Sequence, residues 1–350
     1  MRPIAEAYKD FPILHKEHNG HRVIYLDSGA TAQIPQSVID RVVEHMTQRN
    51  GNPHRGSHIL AIEASEDYEN ARDRVVEFIN AREREEVIFT RNSTESMNLI
   101  AHSYGLHNVK KGDKIVITVA EHHANLVTWQ YVAEQTGATL EYMYLDEHGH
   151  LKDGEINKID EKTKIVAFAH VSNVLGMEFP VKELTEKAHS VGAIVVLDGA
   201  QSTPHKKIDV QALDCDFFVF SGHKMCASQG IGVLYGKRDL LETMPPFLLG
   251  GDMIEYVKEQ TATFNELPYK FEAGTPNADG AVSLHAAIDY LESFGMDAIE
   301  AYEEELVAYI LPKIVALPHV HVIGSQNPKE KHGVIAVSYT HLTLPTKLEV

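Results

Sequence analysis

Cysteine is scarce in this chain of 350 residues, which contains only Cys215 and Cys226. Two cysteines cannot build a disulfide scaffold, and their scarcity favours a reducing compartment. Long apolar runs are also missing. The longest span about five residues, as at 193–197, whereas a membrane helix needs about 18. The N-terminal residues 1–20 carry charges throughout and have no apolar core of signal-peptide type. We therefore expect a soluble cytoplasmic protein with no membrane partner.

Basic residues are few compared with acidic ones: 32 Lys and Arg stand against 50 Asp and Glu, a formal charge of −18. Binding to nucleic-acid phosphates needs clustered Lys and Arg, so the charge balance argues against a nucleic-acid partner. Hydrophobic residues make up 43% of the chain and charged residues 23%. This is the composition of a globular protein with a sizeable core.

The middle of the chain alternates between strand and helix patterns. Several of the strand segments are apolar at nearly every position, which indicates burial on both faces and is typical of parallel sheets. A helical segment with Val181, Leu184 and Ala188 on one face ends near Gly192, a residue suited to a helix C-cap. The predicted strands are 86–90, 114–119, 139–145, 164–170, 193–198, 216–221 and 231–235. This alternation predicts an α/β fold with a mostly parallel seven-stranded sheet flanked by helices.

The pattern differs on either side of this region. Helices are predicted at 35–49 and 61–79 before it, and at 279–294 and 296–316 after it. A long loop is expected up to about residue 275, and further strands at 320–324 and 333–339. We predict a large domain over 20–270. A smaller α+β domain is expected to combine the N-terminal arm 1–19 with residues 271–350.

Two polar segments follow buried strands and suggest carbonyl chemistry. Lys224 ends the segment Ser221-Gly222-His223-Lys224. Partial burial disfavours the ammonium form, so more of such a lysine is the free amine that can form a Schiff base. An ordinary solvated lysine is the alternative. Asp198 ends another strand, where it can keep a pyridine nitrogen protonated. Alternatively, it begins a turn or caps a helix.

Two more segments follow strands in the same way. Asn92 and Glu95 have capping-box spacing, and the Ser93 and Thr94 hydroxyls beside free helix N–H groups suit a phosphate. An ordinary capped helix explains the spacing equally well. The His122–His123 pair suits ring stacking better than metal binding, because adjacent side chains diverge and no zinc-like spacing accompanies them. A surface pair of hydrogen-bonding histidines is the alternative.

These four segments converge on one ligand. Each follows a predicted buried strand, so all four are expected at one edge of the sheet. They supply a phosphate cradle, a stacking ring, an acid for a pyridine nitrogen and a Schiff-base amine. That combination fits pyridoxal 5′-phosphate (PLP), and no metal site is predicted.

The order and spacing of these segments resemble the class V aminotransferase family. Within the family, the chain resembles group II cysteine desulfurases of the sulfur-mobilisation (SUF) type, which include selenocysteine lyases. Segments at 26–31, 55–58 and 271–277 match as well. The main matching motifs are Asn92-Ser93-Thr94-Glu95, Glu121-His122-His123-Ala124-Asn125, His170-Val171-Ser172-Asn173, Asp198-Gly199-Ala200-Gln201 and Ser221-Gly222-His223-Lys224. The resemblance covers roughly residues 1–338 and implies a PLP-dependent transferase of fold type I.

The resemblance also implies a role for each matching residue. Lys224 carries PLP as a Schiff base, Asp198 pairs with the ring nitrogen, Gln201 with the phenolic oxygen, and His122 stacks on the ring. Phosphate contacts are implied for Ser93, Thr94, Ser221 and His223, and a substrate-carboxylate contact for Asn173. Gly274 and Thr275 would reach the phosphate of the other subunit in a homodimer, and His54 and Arg55 would lie near the substrate entrance.

The sequence departs from the family pattern after residue 338. The family's Arg-x-Gly-His-His-Cys-Ala segment with its nucleophilic Cys is not present in 339–350, so we expect a truncated small domain and impaired activity. The implied reaction removes sulfur from L-cysteine, giving L-alanine and a persulfide for a sulfur-acceptor protein in iron–sulfur cluster assembly. The alternatives are a selenocysteine lyase acting on L-selenocysteine, another class V lyase, or an inactive PLP-binding fragment. Cys215 is expected to be buried, and Cys226 is not expected to replace the missing nucleophile.

Overall fold

A seven-stranded sheet forms the centre of the computed structural model, which describes residues 3–336. The strand order is β3-β9-β8-β7-β6-β4-β5, and only β9 runs antiparallel to its neighbours. The strands are β3 (Val87–Thr90), β4 (Lys114–Thr118), β5 (Thr139–Met143), β6 (Thr163–Ala169), β7 (Ile194–Asp198), β8 (Phe217–Ser221) and β9 (Gly232–Gly236). The seven predicted strands and the mostly parallel sheet are therefore confirmed.

Burial on both faces explains the unbroken apolar runs. In β7 and β8 every residue is buried. Successive side chains of a strand point to opposite faces. Thus Val195 and Leu197 belong to one apolar cluster and Val196 to another on the opposite side of the sheet. Helices cover both clusters, which is the layered arrangement that a parallel sheet requires.

The helices fall close to their predicted positions. Val191 is the C-cap of α6, one residue before the predicted Gly192. Gly192, with φ of +77°, follows the cap in the left-handed conformation, and the Ala193 N–H donates to the Ala188 carbonyl. A π-helical turn, His45–Arg49, extends α1. The helices are α1 (Gln36–Glu44), α2 (Ile59–Ile79), α3 (Ser93–Ile100), α4 (Leu106–Asn108), α5 (Val127–Thr136), α6 (Val181–Ser190), α7 (Val210–Leu213), α8 (Arg238–Thr243), α9 (Ala278–Phe294) and α10 (Met296–Val315).

The expectations for the later part of the chain were less accurate. The expected long loop after β9 contains α8 and a hairpin of β10 (Ile254–Val257) and β11 (Ala262–Phe264). No strand forms at 320–324 or 333–336, so the two predicted C-terminal strands are wrong across the described part of the chain. The apolar residues there gave a strand pattern, but they pair with no strand within residues 3–336. Residues 337–339 of the second one lie outside the described residues.

The N-terminal arm contacts the C-terminal helices. A short hairpin of β1 (Glu17–His18) and β2 (His21–Arg22) follows two 3₁₀ turns. The Phe11 and Tyr290 rings meet edge to face at 5.8 Å, and the Tyr290 hydroxyl donates to Asp10 at 2.9 Å. The division of the chain into a large domain over 20–270 and a smaller one stays a prediction. Among the helices within residues 3–336, none combines the length and apolarity needed to cross a membrane.

Candidate active site

The strands end around a cavity of about 540 Å³ at the carboxyl edge of the sheet. Pairing of Ala169 with Asp198, and of Asp198 with Val219, brings the ends of β6, β7 and β8 side by side. Nine of the predicted site residues line this single cavity: Ser93, Thr94, His122, Asn173, Asp198, Gln201, Ser221, His223 and Lys224. The structure thus brings them together as expected, while their roles toward a ligand stay predictions.

Lys224 lies on a 3₁₀ turn that follows β8 directly. The Gly222 N–H donates to the Ile231 carbonyl at 2.9 Å, which ties the turn to the chain entering β9. Burial lowers the pKa of the Lys224 amine, although the charge of Asp198 acts in the opposite direction. Desolvation disfavours the ammonium form, so a larger share of Lys224 is the nucleophilic free amine than in a solvated lysine.

Asp198 is the last residue of β7 and is only 6% exposed. Its Oδ1 accepts the Ala200 N–H at 3.0 Å, so the turn role considered from the sequence is also present. Burial raises the pKa of this carboxyl, whereas the Ala200 N–H and the positive charge of Lys224 oppose the rise. The other carboxylate oxygen can accept a hydrogen bond from an N–H group of a ligand in the cavity.

A cradle for an anion forms where β3, β8 and α3 meet. The Asn92 side chain caps α3 by accepting a hydrogen bond from the Glu95 N–H at 3.0 Å. The Glu95 carboxylate in turn accepts one from the Arg91 N–H at 2.5 Å. The Ser93 N–H and hydroxyl lie 2.8 and 2.7 Å from the Ser221 hydroxyl oxygen. These hydroxyls beside the positive end of a helix suit a phosphate group.

A glycine at the start of β9 allows this cradle to form. A Cβ atom on Gly232 would lie 2.5 Å from the Asn92 Cα, which is far inside van der Waals contact. Gly232 pairs with both Thr90 and Ser221. The missing side chain therefore lets the Asn92 backbone pass over the strand and bring Ser93 to Ser221.

The His122 ring lies at the mouth of the cavity, on the turn after β4. Its Nδ1 accepts the Ala124 N–H at 3.1 Å, which fixes one nitrogen as an acceptor. Desolvation lowers the pKa of His122, while the charge of Asp198 raises it. A neutral imidazole is suited to stacking on an aromatic ring. Side chains of His, Cys, Asp and Glu form no cluster of three suited to a metal ion within residues 3–336.

Three amide and imidazole groups complete the wall. Gln201 Nε2 donates to the Gly29 carbonyl at 2.9 Å, and His223 Nδ1 lies 3.1 Å from the Thr31 hydroxyl. The Asn173 Oδ1 atom is buried and has no hydrogen-bond partner among residues 3–336. A buried acceptor without a partner costs free energy unless a ligand or water supplies a donor, so Asn173 points to a polar ligand.

Four predicted residues do not reach this cavity. Gly274 and Thr275 line a separate cavity of about 510 Å³ beside Arg91. His54 Nε2 lies 3.1 Å from a Glu69 carboxylate oxygen, and Arg55 pairs with Asp252. These residues lie outside the candidate site of their own chain, and the roles expected for them in a homodimer stay predictions.

Two segments that line the cavity were not predicted as site residues. Residues 26–30 contribute through the Gly29 carbonyl, and their match to the family pattern was the available signal. Residues 333–336 cross the other side because the His332 N–H binds the Gly176 carbonyl at 2.7 Å and the Gly333 N–H binds Glu303 at 2.9 Å. These long-range contacts leave no local pattern in the sequence.

PLP fits the groups around this cavity. The Ser93–Ser221 cradle suits its phosphate, and the Asp198 carboxyl suits its pyridine nitrogen. The Lys224 amine, with its lowered pKa, suits its aldehyde. The unpartnered Asn173 oxygen and the exposed His122 ring remain available to a ligand. Each functional group of the cofactor therefore has a chemically suitable partner.

Comparison with known proteins agrees with this chemistry. Residues 24–345 match the family described as Aminotransferase class-V. The chain belongs to the class V aminotransferase family. A family member from Halalkalibacterium halodurans, named a probable cysteine desulfurase, is 51% identical over 331 residues, covering 94% of this chain and 81% of that protein.

Solved structures of class V aminotransferase relatives share the fold. The apo structure of a cysteine desulfurase from Thermococcus onnurineus has a TM-score of 0.88 and 39% identity, covering 95% of this chain and 81% of that one. The cysteine desulfurase CsdA from Escherichia coli has a TM-score of 0.81 and 37% identity, covering 91% and 78% of the two chains. The expected fold class is therefore confirmed.

Proposed function

We propose that this protein is a PLP-dependent cysteine desulfurase that removes sulfur from L-cysteine and leaves L-alanine. Membership of the class V family and the names of its relatives support the reaction. The observation that carries the proposal is the convergence of Lys224, Asp198 and the Ser93–Ser221 cradle on one cavity.

Each residue has a task that follows from its surroundings. Lys224 attaches the cofactor through its amine and exchanges protons at Nζ, since burial keeps its pKa low. Asp198 would accept the N–H of the pyridine ring of bound PLP and so keep that nitrogen protonated. When bound, PLP withdraws electrons from the Cα of the substrate. Asn173, with its unpartnered Oδ1, orients the substrate, and His122 covers the ring and excludes water from one face.

The sulfur must pass to a thiolate, and the two cysteines of this chain are poor candidates. Burial raises the pKa of Cys226 to about 12 and raises that of the fully buried Cys215 well above its usual range. Only the thiolate is nucleophilic, so neither residue is reactive near pH 7. We infer that residues 1–350 alone turn over slowly, as the sequence led us to expect.

The wider setting follows from the same proposal. The thiolate that takes the sulfur would then belong to an acceptor protein, which carries the sulfur as a persulfide to iron–sulfur cluster assembly. A homodimer would bring Gly274 and Thr275 of one subunit to the cofactor phosphate of the other, and would place His54 and Arg55 near the substrate entrance. Their positions outside the cavity of their own chain support this arrangement. The unpaired cysteines agree with a cytoplasmic location.

Alanine formation from L-cysteine tests the proposal. The PLP-loaded protein should release alanine, faster when an added thiol accepts the sulfur, and Lys224→Ala should release none. L-Selenocysteine in a parallel reaction shows whether selenium is also removed. A parent protein that binds no PLP, or a Lys224→Ala variant as active as the parent, would contradict the proposed function.

A further inference from the structure

A buried carboxyl lies directly beside the His122 ring and has no task in the reaction described above. Glu121 is 8% exposed. One of its carboxyl oxygens accepts the hydroxyl of Thr118, the last residue of β4. Its other oxygen accepts the Asn125 Nδ2 donor at 2.7 Å. A carboxyl that is taken out of water and bound on both oxygens fixes the backbone that carries it.

The hydrogen bonds continue into the sheet and into α5. Asn125, which is fully buried, accepts the indole N–H of Trp129 at 2.8 Å through its Oδ1. The Glu121 carboxyl thus connects the end of β4, through Thr118, with α5, through Asn125 and Trp129. The His122 turn starts at the next residue.

We propose that Glu121 is a positioning residue for His122, holding its turn so that the imidazole faces the cavity in one orientation. This inference rests on the proposed function, because the ring has a task only if an aromatic cofactor binds beneath it. His122 itself is held weakly, through the Ala124 N–H at 3.1 Å. Its orientation is therefore set mainly by the backbone that Glu121 anchors.

The protonation state of Glu121 decides which substitution can replace it. Burial raises the pKa of Glu121 to about 8, and the nearby charge of Asp198 adds to the rise although Thr118 and Asn125 oppose it. The side chain is therefore mostly neutral at pH 7. Glutamine has the same shape and no charge. In Glu121→Gln the amide oxygen can accept from Asn125 Nδ2 while the amide N–H donates to the Thr118 hydroxyl oxygen, so both contacts are kept, whereas Glu121→Ala removes them.

A double-mutant cycle on PLP affinity separates positioning from general loss of structure. Ring stacking corresponds to roughly a 3- to 10-fold change in affinity, so Glu121→Ala and His122→Ala should each weaken PLP binding by roughly that factor. If Glu121 acts through His122, the double variant should bind no worse than His122→Ala. Glu121→Gln should restore affinity to that of the parent. Independent losses, which multiply to as much as roughly 100-fold in the double variant, would overturn the inference.

The single tryptophan supplies a readout without cofactor. Trp129 donates a hydrogen bond to Asn125. In the cofactor-free protein, the fluorescence of Trp129 should therefore differ from that of the parent in Glu121→Ala and equal it in Glu121→Gln. Glu147→Gln, at a side chain that is 88% exposed, is the control and should match the parent in both assays. If Glu121→Ala does not fold, Glu121→Asp takes its place in the cycle, since its shorter side chain cannot reach Thr118 and Asn125 together.

The outcomes distinguish the two proposals. A parent protein that binds no PLP contradicts the proposed function and this inference together. A parent that binds PLP, combined with multiplying losses or with an unaltered affinity in Glu121→Ala, contradicts the inference alone.

Discussion

A single methyl group at the start of β9 should damage the phosphate cradle. In Gly232→Ala the new Cβ would lie 2.5 Å from the Asn92 Cα and 2.8 Å from its carbonyl carbon. An ordinary contact between carbon atoms is about 3.5 Å, so the Asn92 backbone must move by roughly 1 Å. Asn92 caps α3, and Ser93 follows it. The shift therefore pulls the Ser93 N–H and hydroxyl away from Ser221.

The expected effect has two components. Overpacking of this kind costs about 1–3 kcal/mol of folding stability. Misplacing one hydrogen bond to a charged phosphate costs about 1.5–3 kcal/mol of binding free energy. The second figure corresponds to a dissociation constant for PLP that is roughly 10- to 150-fold larger.

Gly236→Ala provides a matched control at the other end of β9. Its Cβ would lie 2.9 Å from side-chain atoms of Leu241 and Phe217, so it should lower stability without touching the cradle. PLP titrations followed by the absorbance of the bound cofactor, together with thermal melts, separate the two effects. If Gly232→Ala keeps the PLP affinity of the parent while folding normally, our account of the cradle is wrong.

Four further results follow from the structure. Asp198→Asn should reduce turnover more than PLP retention, because its charge matters most while the substrate carbanion develops. The same substitution should lower the pKa of Lys224, since the Asp198 charge raises that pKa. The pH at which half of the protein carries covalently attached PLP should then fall. If that pH does not change, Asp198 does not act on Lys224. Cys226→Ala should leave PLP binding and alanine release unchanged, and a large loss of alanine release would show that Cys226 is a working nucleophile. Glu272→Ala should destabilise the fold by about 3–5 kcal/mol in urea unfolding, because it removes the carboxylate that binds two nitrogens of the fully buried Arg72 and leaves it only the Glu69 carboxylate within residues 3–336. A loss below about 1 kcal/mol would contradict this.

Much of the central sheet could be predicted because its signal is local. Strands buried on both faces have continuous apolar runs, and the pattern at 193–198 and 216–221 shows β7 and β8 without reference to the rest of the chain. The short hairpin β10–β11 escaped prediction because its strands are only four and three residues long and are mostly exposed, so their alternation is too brief to show as a pattern. The strands expected at 320–324 and 333–336 failed for the opposite reason: a local strand pattern does not supply a pairing partner.

The candidate site divides in the same way. Lys224, Asp198 and His122 follow strands directly, so the edge they share could be predicted from strand order alone. The role of Gly232 depends on how closely the Asn92 backbone passes over β9, which no sequence pattern records. The contact of Glu121 with Asn125 lies within one short segment, yet its significance depends on burial by β6 and α5. Residues 333–336 reach the cavity through tertiary contacts only.

Mapping the lysine that carries PLP tests the central claim most directly. The protein is loaded with PLP, reduced with borohydride and digested, and the pyridoxyl-bearing peptide is located by mass spectrometry. The account predicts a single modified residue, Lys224, because it combines a depressed amine pKa with a place in the cavity shared by Asp198 and Ser221. A pyridoxyl group found mainly on any other lysine would contradict it.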